Sequence, residues 1–227
     1  LCVNFDLHGY ETDQQLKKPQ PPLCKAPVKK ELIDLPKNIK DMEVKANFTD
    51  LLFKRRSHRV YTKENISLDD LSYMCFDCAA LHIDGLKPGY YHYLPLTHQI
   101  ELIKKDIDHD EINNSLHKQA WACNASVIFY LDFVFYVSEW RYGIKAHAPA
   151  LMDIGYIGQN IYLASTALNL GGCAIAAVDK TYANKMFDLG DGKDESIVYA
   201  HPVGTIDPEK NKQAEDDFYS FVKKDNL

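Results

Sequence analysis

The sequence lacks several features that would assign it to a specialised class of protein. No window approaches about 18 uninterrupted apolar residues, so we expect no transmembrane helix and no membrane partner. The six cysteines are scattered, which argues against a disulfide scaffold and favours reduced thiols. A net charge of −6 argues against a broad basic surface for nucleic acid. The first residues lack the order of a signal peptide, and we expect a cytoplasmic protein.

The sequence also lacks a pattern typical of metal sites. Cys75 and Cys78 have C-x-x-C spacing, but no second pair of ligands lies nearby. The hydrophobic period around them is helical, which predicts two thiols on the packed face of a helix. The histidines form no H-E-x-x-H motif. We therefore predict no bound metal ion.

The chain divides by composition into two parts. Residues 1–44 are polar and contain five prolines, which predicts an irregular N-terminal arm. Residues 45–227 carry the periodic patterns of one larger domain. These patterns predict helices at 48–52, 68–75, 110–118, 148–170 and 181–187, a hairpin of 90–93 with 99–103, and strands at 126–134, 173–178 and 196–206. Helices and a few strands that alternate irregularly indicate an α+β domain with a mixed or antiparallel sheet.

A basic segment, KRRSHRVY at residues 54–61, is the strongest local signal for binding. Arg55, Arg56 and Arg59 offer planar forks of donors suited to phosphate, and the Ser57 hydroxyl adds a short hydrogen bond. The alternative is a basic helix terminus that complements the helix dipole. The segment alone does not decide between them.

Two further segments each allow a functional and a purely structural interpretation. The small residues of LGGCAIAAVD at 170–179 would let a planar ligand approach the backbone, or would only allow close packing between helix and strand. In WRYG at 140–143, Tyr142 beside Arg141 could transfer a proton, or could be a surface aromatic next to a charge.

Taken together, these segments resemble the nitroreductase superfamily, and within it the SagB-type dehydrogenases. Residues 55–61 resemble the R-R-S-x-R-x-F/Y motif, and GLKPGYYHY at 85–93 resembles the G-L-x-x-G-x-Y-x-Y strand of the SagB type. The sequence LMDIGYIGQN at 151–160 is similar to the L-x-D/E-x-G-x-x-x-Q-N helix, and Val203-Gly204 to the closing strand. The match covers most of residues 45–206.

The resemblance implies an FMN-binding homodimer with each flavin at the subunit interface. Phosphate and the polar edge of the flavin would be held by the basic segment, and the backbone N–H of Ala177 would face flavin N5, with Ala176 beside it. Gln159, in the long helix, belongs to the implied cofactor site. The implied reaction is oxidation of a thiazoline or oxazoline in a ribosomal peptide to the azole, with a cyclodehydratase complex and the precursor peptide as partners.

Two departures from the family pattern bear on this reaction. The azoline-oxidising members carry Lys-Tyr where this chain has Arg141-Tyr142, and arginine cannot accept a proton. Tyr142 is then the expected base, with Arg141 stabilising negative charge. The family's Pro-Ser-x-Gly-like loop and a strand are also missing between the second helix and the GLKPG phrase. An NAD(P)H-dependent nitro, quinone or enone reductase, or a flavin-free subunit of a peptide-modifying complex, remain alternatives.

Overall fold

A computed structural model describes residues 10–42, 44 and 46–211. The strands in these ranges are β1 (Leu32–Asp34), β2 (Cys78–Ala80), β3 (Gly89–Leu94), β4 (Gln99–Lys105), β5 (Val127–Val134), β6 (Gly171–Gly172) and β7 (Glu195–Gly204). The α-helices are α1 (Phe48–Lys54), α2 (Leu68–Met74), α3 (His109–Ser115), α4 (Phe135–Tyr142), α5 (His147–Ala167) and α6 (Lys180–Met186).

The strands form one sheet in the order β1-β4-β3-β2-β5-β7-β6, and every neighbouring pair is antiparallel. β5 and β7 pair from Val127 opposite Val203 to Val134 opposite Glu195, with a register shift between Leu131 and Asp132. The predicted α+β class with a sheet flanked by helices is therefore confirmed. In the described ranges, no helix combines the length and apolar character needed to cross a membrane.

Helices cover both faces of the sheet because its central strands are apolar at consecutive positions. Tyr90 of β3 packs into one core, which also contains residues of α3 and α6. The adjacent Tyr91 points to the opposite core, which contains residues of α2 and α5. Successive side chains of a strand face opposite sides, so a strand buried on both faces loses the alternation of apolar and polar residues.

The structure corrects three of the predictions about local structure. A three-residue strand, β1, lies in the arm that the prolines predicted to be irregular, and it pairs with β4. Cys78 begins strand β2 and is not a helix residue, because α2 ends at Met74. The strand expected at 173–178 is reduced to an isolated bridge between Ile175 and Ala200. The division of the chain near residue 44 stays a prediction.

The connection between α2 and β2 is short. α2 starts at a capping box in which the Ser67 hydroxyl accepts from the Asp70 N–H, 3.0 Å away, and the Asp70 carboxylate accepts from Ser67 N–H. It ends at Met74, and residues 75–77 then lead directly into β2. The strand that the family pattern places here is therefore present as β2, whereas only three residues occupy the place of the polar loop.

Candidate active site

The basic segment follows α1 and runs beside strand β6. Asn47 caps the start of α1, accepting a hydrogen bond from Thr49 N–H. After α1 ends, Ser57 forms a parallel bridge to Gly172, and His58 N–H donates to the Gly172 carbonyl at 2.8 Å. The fold thus holds the basic segment against the glycine pair that follows α5.

Tyr162 of α5 joins these two segments through its hydroxyl group. The hydroxyl oxygen accepts a hydrogen bond from Ala174 N–H at 2.8 Å and shares another with Ser57 Oγ at 2.8 Å. The Arg55 guanidinium lies 5.0 Å from the centre of the Tyr162 ring. Sequence reasoning missed Tyr162. Its position next to the buried Ile161, one helical turn before the buried Ser165 and shortly before Gly171, was the available signal.

Arg55 and Arg59 keep their guanidinium donors available. Within the described residues, neither side chain has an ion pair or hydrogen bond, and Arg59 only lies 5.9 Å from the centre of the Trp121 ring. The pKa of His58 is lowered, first by burial and then by the charges of Arg56 and Arg55. A guanidinium that has no counterion among the described residues, such as that of Arg55 or Arg59, favours binding of an anion.

Arg56 has a different role from Arg55 and Arg59. Its Nη1 donates to the carbonyl oxygen of Phe53 at 2.6 Å and to that of Arg55 at 2.8 Å. These carbonyls lie at the end of α1, where backbone acceptors lack helical partners. The helix-terminus interpretation of the basic segment therefore applies to Arg56.

The loop after β6 exposes two small residues. Ala176 and Ala177 are exposed, and within the described residues neither backbone N–H donates a hydrogen bond. A tight turn encloses Ala177, since Val178 N–H donates to the Ala176 carbonyl at 3.1 Å. The two methyl side chains leave this backbone open to a ligand, as the first interpretation of the segment requires.

Gly172 and His201 show that close packing also shapes this segment. A Cβ atom added to Gly172 would lie 2.9 Å from His201 Nε2, so a larger residue would displace the imidazole. His201 is fully buried, both its ring nitrogens lack a hydrogen-bond partner in the described part of the chain, and burial lowers its pKa to about 3. Its ring meets that of Tyr162 at 4.5 Å between centres. Sequence reasoning also missed His201.

The contacts of Tyr162 with Arg55, Ser57 and Ala174 form a cluster that we call the Tyr162 hub. The Arg141-Tyr142 pair lies apart from this hub. It ends α4, with the Arg141 guanidinium 5.3 Å from the centre of the Tyr142 ring and 47% of Tyr142 exposed. A short turn leads from Tyr142 to the first residue of α5, and Tyr162 follows fifteen residues later. At 1.5 Å per residue, about 22 Å of helix separates Tyr162 from the α5 start. Within one chain, the Arg141-Tyr142 pair therefore lies far from the basic segment that Tyr162 contacts.

Gln159 lies on α5 between these two regions. It is exposed and precedes Tyr162 by three residues, so both lie on neighbouring parts of the helix surface. Gln159 makes no hydrogen bond within the described residues. Its amide is therefore accessible from the side of the helix nearest the hub.

Comparison with known proteins agrees with this fold. A model of the nitroreductase family matches residues 87–205. A nitroreductase-type protein of Methanocaldococcus jannaschii is 24% identical to this chain over 181 residues. The match covers 68% of this chain and 89% of that protein.

Solved structures show the same architecture. A nitroreductase-type structure from Anabaena variabilis has a TM-score of 0.65 and 21% identity, covering 82% of this chain and 42% of that chain. One from Ralstonia eutropha has a TM-score of 0.62 and 16% identity, and the match covers 84% of this chain and 96% of that chain. A chain of the Escherichia coli microcin synthetase McbBCD complex with truncated pro-MccB17 has a TM-score of 0.58 and 16% identity. The match covers 67% of this chain and 70% of that chain. This chain thus spans less than half the length of the Anabaena structure.

These structural likenesses establish a shared fold. The family model adds a sequence match that begins at Lys87, two residues before β3, and ends just after β7. This match spans more than half of the 227 residues. The chain therefore belongs to the nitroreductase family.

Proposed function

We propose that this chain is an FMN-dependent oxidoreductase of the SagB type, which oxidises a thiazoline or oxazoline in a ribosomal peptide to the azole. The observation that carries the proposal is the basic segment itself: Arg55 lies on the ring of Tyr162, the Tyr162 hydroxyl bonds Ser57, and neither Arg55 nor Arg59 has an ion pair or side-chain hydrogen bond among the described residues. Tyr162 connects this cationic segment to the loop whose amides, at Ala176 and Ala177, are also unpartnered among the described residues.

The residues present fit FMN at both ends of that molecule. Two guanidiniums and a serine hydroxyl suit a dianionic phosphate, which would supply the missing counterion. At the other end, alanine side chains permit a flat ring to approach the exposed N–H of Ala177. When bound, FMN supplies the two-electron chemistry by accepting a hydride from the substrate.

The protein's own residues would bind the flavin and orient it. Arg55, Ser57 and Arg59 would hold the phosphate and the polar edge of the flavin, while Arg56 bonds carbonyl oxygens at the end of α1. The Ala177 N–H would face the flavin ring. Gln159 offers an amide from the exposed surface of α5, next to Tyr162. Together they would fix one face of the cofactor and leave the other for substrate.

Tyr142 would accept the proton that the substrate ring loses on oxidation. It would act as the base in this step, and the adjacent Arg141 charge would stabilise negative charge on the Tyr142 oxygen. Since Tyr142 lies at the far end of α5 from the hub, we infer that it reaches the flavin held by a second copy of the chain. The active site would then form only in a homodimer.

The proposed partners follow from the peptide substrate. One structural neighbour is a microcin synthetase complex with a truncated precursor bound. A peptide ring must first be closed by a cyclodehydratase before it can be oxidised. We therefore propose that this chain works with a cyclodehydratase complex and a precursor peptide.

A flavin titration followed by an activity assay tests the proposal. We expect the full chain to retain about one FMN per subunit through gel filtration, and to convert a thiazoline-containing peptide to a product 2 Da lighter by mass spectrometry, from the loss of two hydrogens. Tyr142→Phe should keep FMN binding and lose at least about a hundredfold in rate, as expected for loss of a general base. Failure to retain FMN in excess cofactor would sink the proposal.

A second candidate, an NAD(P)H-dependent reductase of nitro, quinone or enone compounds, is favoured by the distance of Tyr142 from the hub. Such a reaction needs the flavin site but no base from residue 142. NADPH oxidation with a quinone acceptor, unaffected by Tyr142→Phe, would support the reductase. A flavin-free subunit is favoured by the three-residue connection between α2 and β2, and absence of FMN binding would support it.

A further inference from the structure

A cleft of about 510 Å³ opens beside the ends of β3 and β4, away from the Tyr162 hub. Four strand spacings, about 19 Å, separate β3 from β6, the strand that contacts Ser57. Part of the cleft is apolar, lined by Leu81, Leu102 and Ile107. This surface would accommodate the apolar body of a small molecule.

The rest of the cleft is mainly cationic. It is lined by four basic side chains, Lys87, Lys105, His82 and His109, and Asp106 is the single acidic residue of the lining. Throughout the described ranges, none of the four basic side chains has an ion pair or hydrogen bond. The chain carries a net charge of −6, so this concentration of basic groups does not follow from its overall composition.

Two of the basic groups, His82 and His109, are close enough to affect one another. The pKa of His82 is lowered, first by burial and then by the positive charges of His109 and Lys63. Like charges that face a common space raise the free energy of the empty cleft. A bound anion would offset this repulsion.

We propose that the cleft binds a small organic anion, whose phosphate or carboxylate head group contacts Lys87 and Lys105 and whose apolar body packs on Leu102 and Ile107. Lysine and histidine are compact donors that pair with either head group. The site is separate from the proposed flavin site and does not depend on it.

Titration of the full chain with phenyl phosphate, benzoate and inorganic phosphate tests the proposal. The ring signals of His82 and His109 in histidine-labelled protein report binding by NMR. We expect these signals to move, and the double variant Lys87→Gln/Lys105→Gln to bind at least about tenfold more weakly, because charge-assisted hydrogen bonds are lost. The control Lys37→Gln/Lys40→Gln removes two exposed lysines elsewhere and should bind as the wild type does.

The outcomes separate the parts of the proposal. Tighter binding of phenyl phosphate supports a phosphate head group, and tighter binding of benzoate supports a carboxylate. Equal affinity for phenyl phosphate and inorganic phosphate would overturn the role of the apolar side. Unmoved histidine signals, or equal weakening in both double variants, would overturn the site itself. FMN binding, measured in parallel, should be unchanged in the Lys87→Gln/Lys105→Gln variant, so failure of the flavin proposal is seen separately.

Discussion

Tyr162 is the residue that links the basic segment to the proposed flavin loop. Tyr162→Phe keeps the ring next to Arg55 but removes the hydroxyl that bonds Ser57 and Ala174. We expect FMN to bind about tenfold more weakly, which corresponds to about 1.4 kcal/mol for one lost hydrogen-bonding group. Quenching of flavin fluorescence measures the dissociation constant. The exposed Tyr182→Phe serves as control, and an unchanged constant in Tyr162→Phe would contradict the linking role.

His201 makes stability depend on pH through a single buried ring. The unfolded chain takes up a proton at this residue near pH 6.5, whereas the folded chain does not until about pH 3. The free energy of unfolding should therefore fall as pH drops below 6.5, by up to about 1.4 kcal/mol per unit. His201→Leu should remove this dependence and cost little at pH 7, because neither ring nitrogen has a partner.

Urea unfolding between pH 7 and pH 4 measures the effect. The exposed His117→Asn variant is a suitable control, because asparagine tolerates the left-handed backbone at that position. If His201→Leu keeps the wild-type slope, other groups cause the pH dependence.

The sequence indicated the basic segment but not how its arginines differ. Spacing alone predicted equivalent roles for Arg55, Arg56 and Arg59. The structure separates them, because Arg56 folds back onto carbonyls at its own helix end while Arg55 lies against Tyr162. The contact between Arg55 and Tyr162 joins residues more than a hundred positions apart, so no local period contains it.

Glu101 of β4 fastens the N-terminal arm to the sheet. Its buried carboxylate accepts from the backbone N–H groups of Val28 and Lys29 and contacts His92 Nδ1 at 2.7 Å. Burial would raise the pKa of Glu101, but the hydrogen bonds from His92 and the two amides lower it overall. The attachment is therefore present above the usual glutamate range and is lost as pH falls through the lowered value.

Glu101→Gln should release the arm. Its amide presents a donor to backbone donors, at a local cost of about 2 kcal/mol for unsatisfied groups. Trypsin should then cut after Lys25 and Lys29 several times faster than in the wild type. The exposed Glu31→Gln, on the arm itself, is the matched control. Equal cleavage rates in all three proteins would show that the arm is held elsewhere.

Long elements were easier to predict from the sequence than short ones. α5 and β5 were found because each has a clear period or a run of β-branched and aromatic residues. β1 and β2, three residues each, are too short to show a period, and pairing with β4 and β5 defines them. α4 was missed because β5 passes into it without a break residue.

The whole molecule exposes an apolar face that a second copy would cover. α1 packs on α5, and large side chains on both helices remain exposed, including Phe53 and Tyr156 at 70% each. Such a patch is typical of an interface between proteins. A dimer formed through this face would also allow Tyr142 of one chain to approach the flavin of the other, which the length of α5 prevents within a chain.

Met152→Glu tests whether this face forms the dimer. Met152 is exposed on α5, and a charge buried there without a partner should weaken association by at least about 2 kcal/mol. Sedimentation velocity should show a monomer at concentrations where the wild type is a dimer, and FMN should be lost together with the dimer because the family resemblance implies that the flavin lies at the subunit interface. Leu96→Glu places the same charge on the exposed turn between β3 and β4 and should stay dimeric. A Met152→Glu dimer that retains FMN would place the interface elsewhere, and a monomer that retains FMN would show that one chain is enough to hold the cofactor.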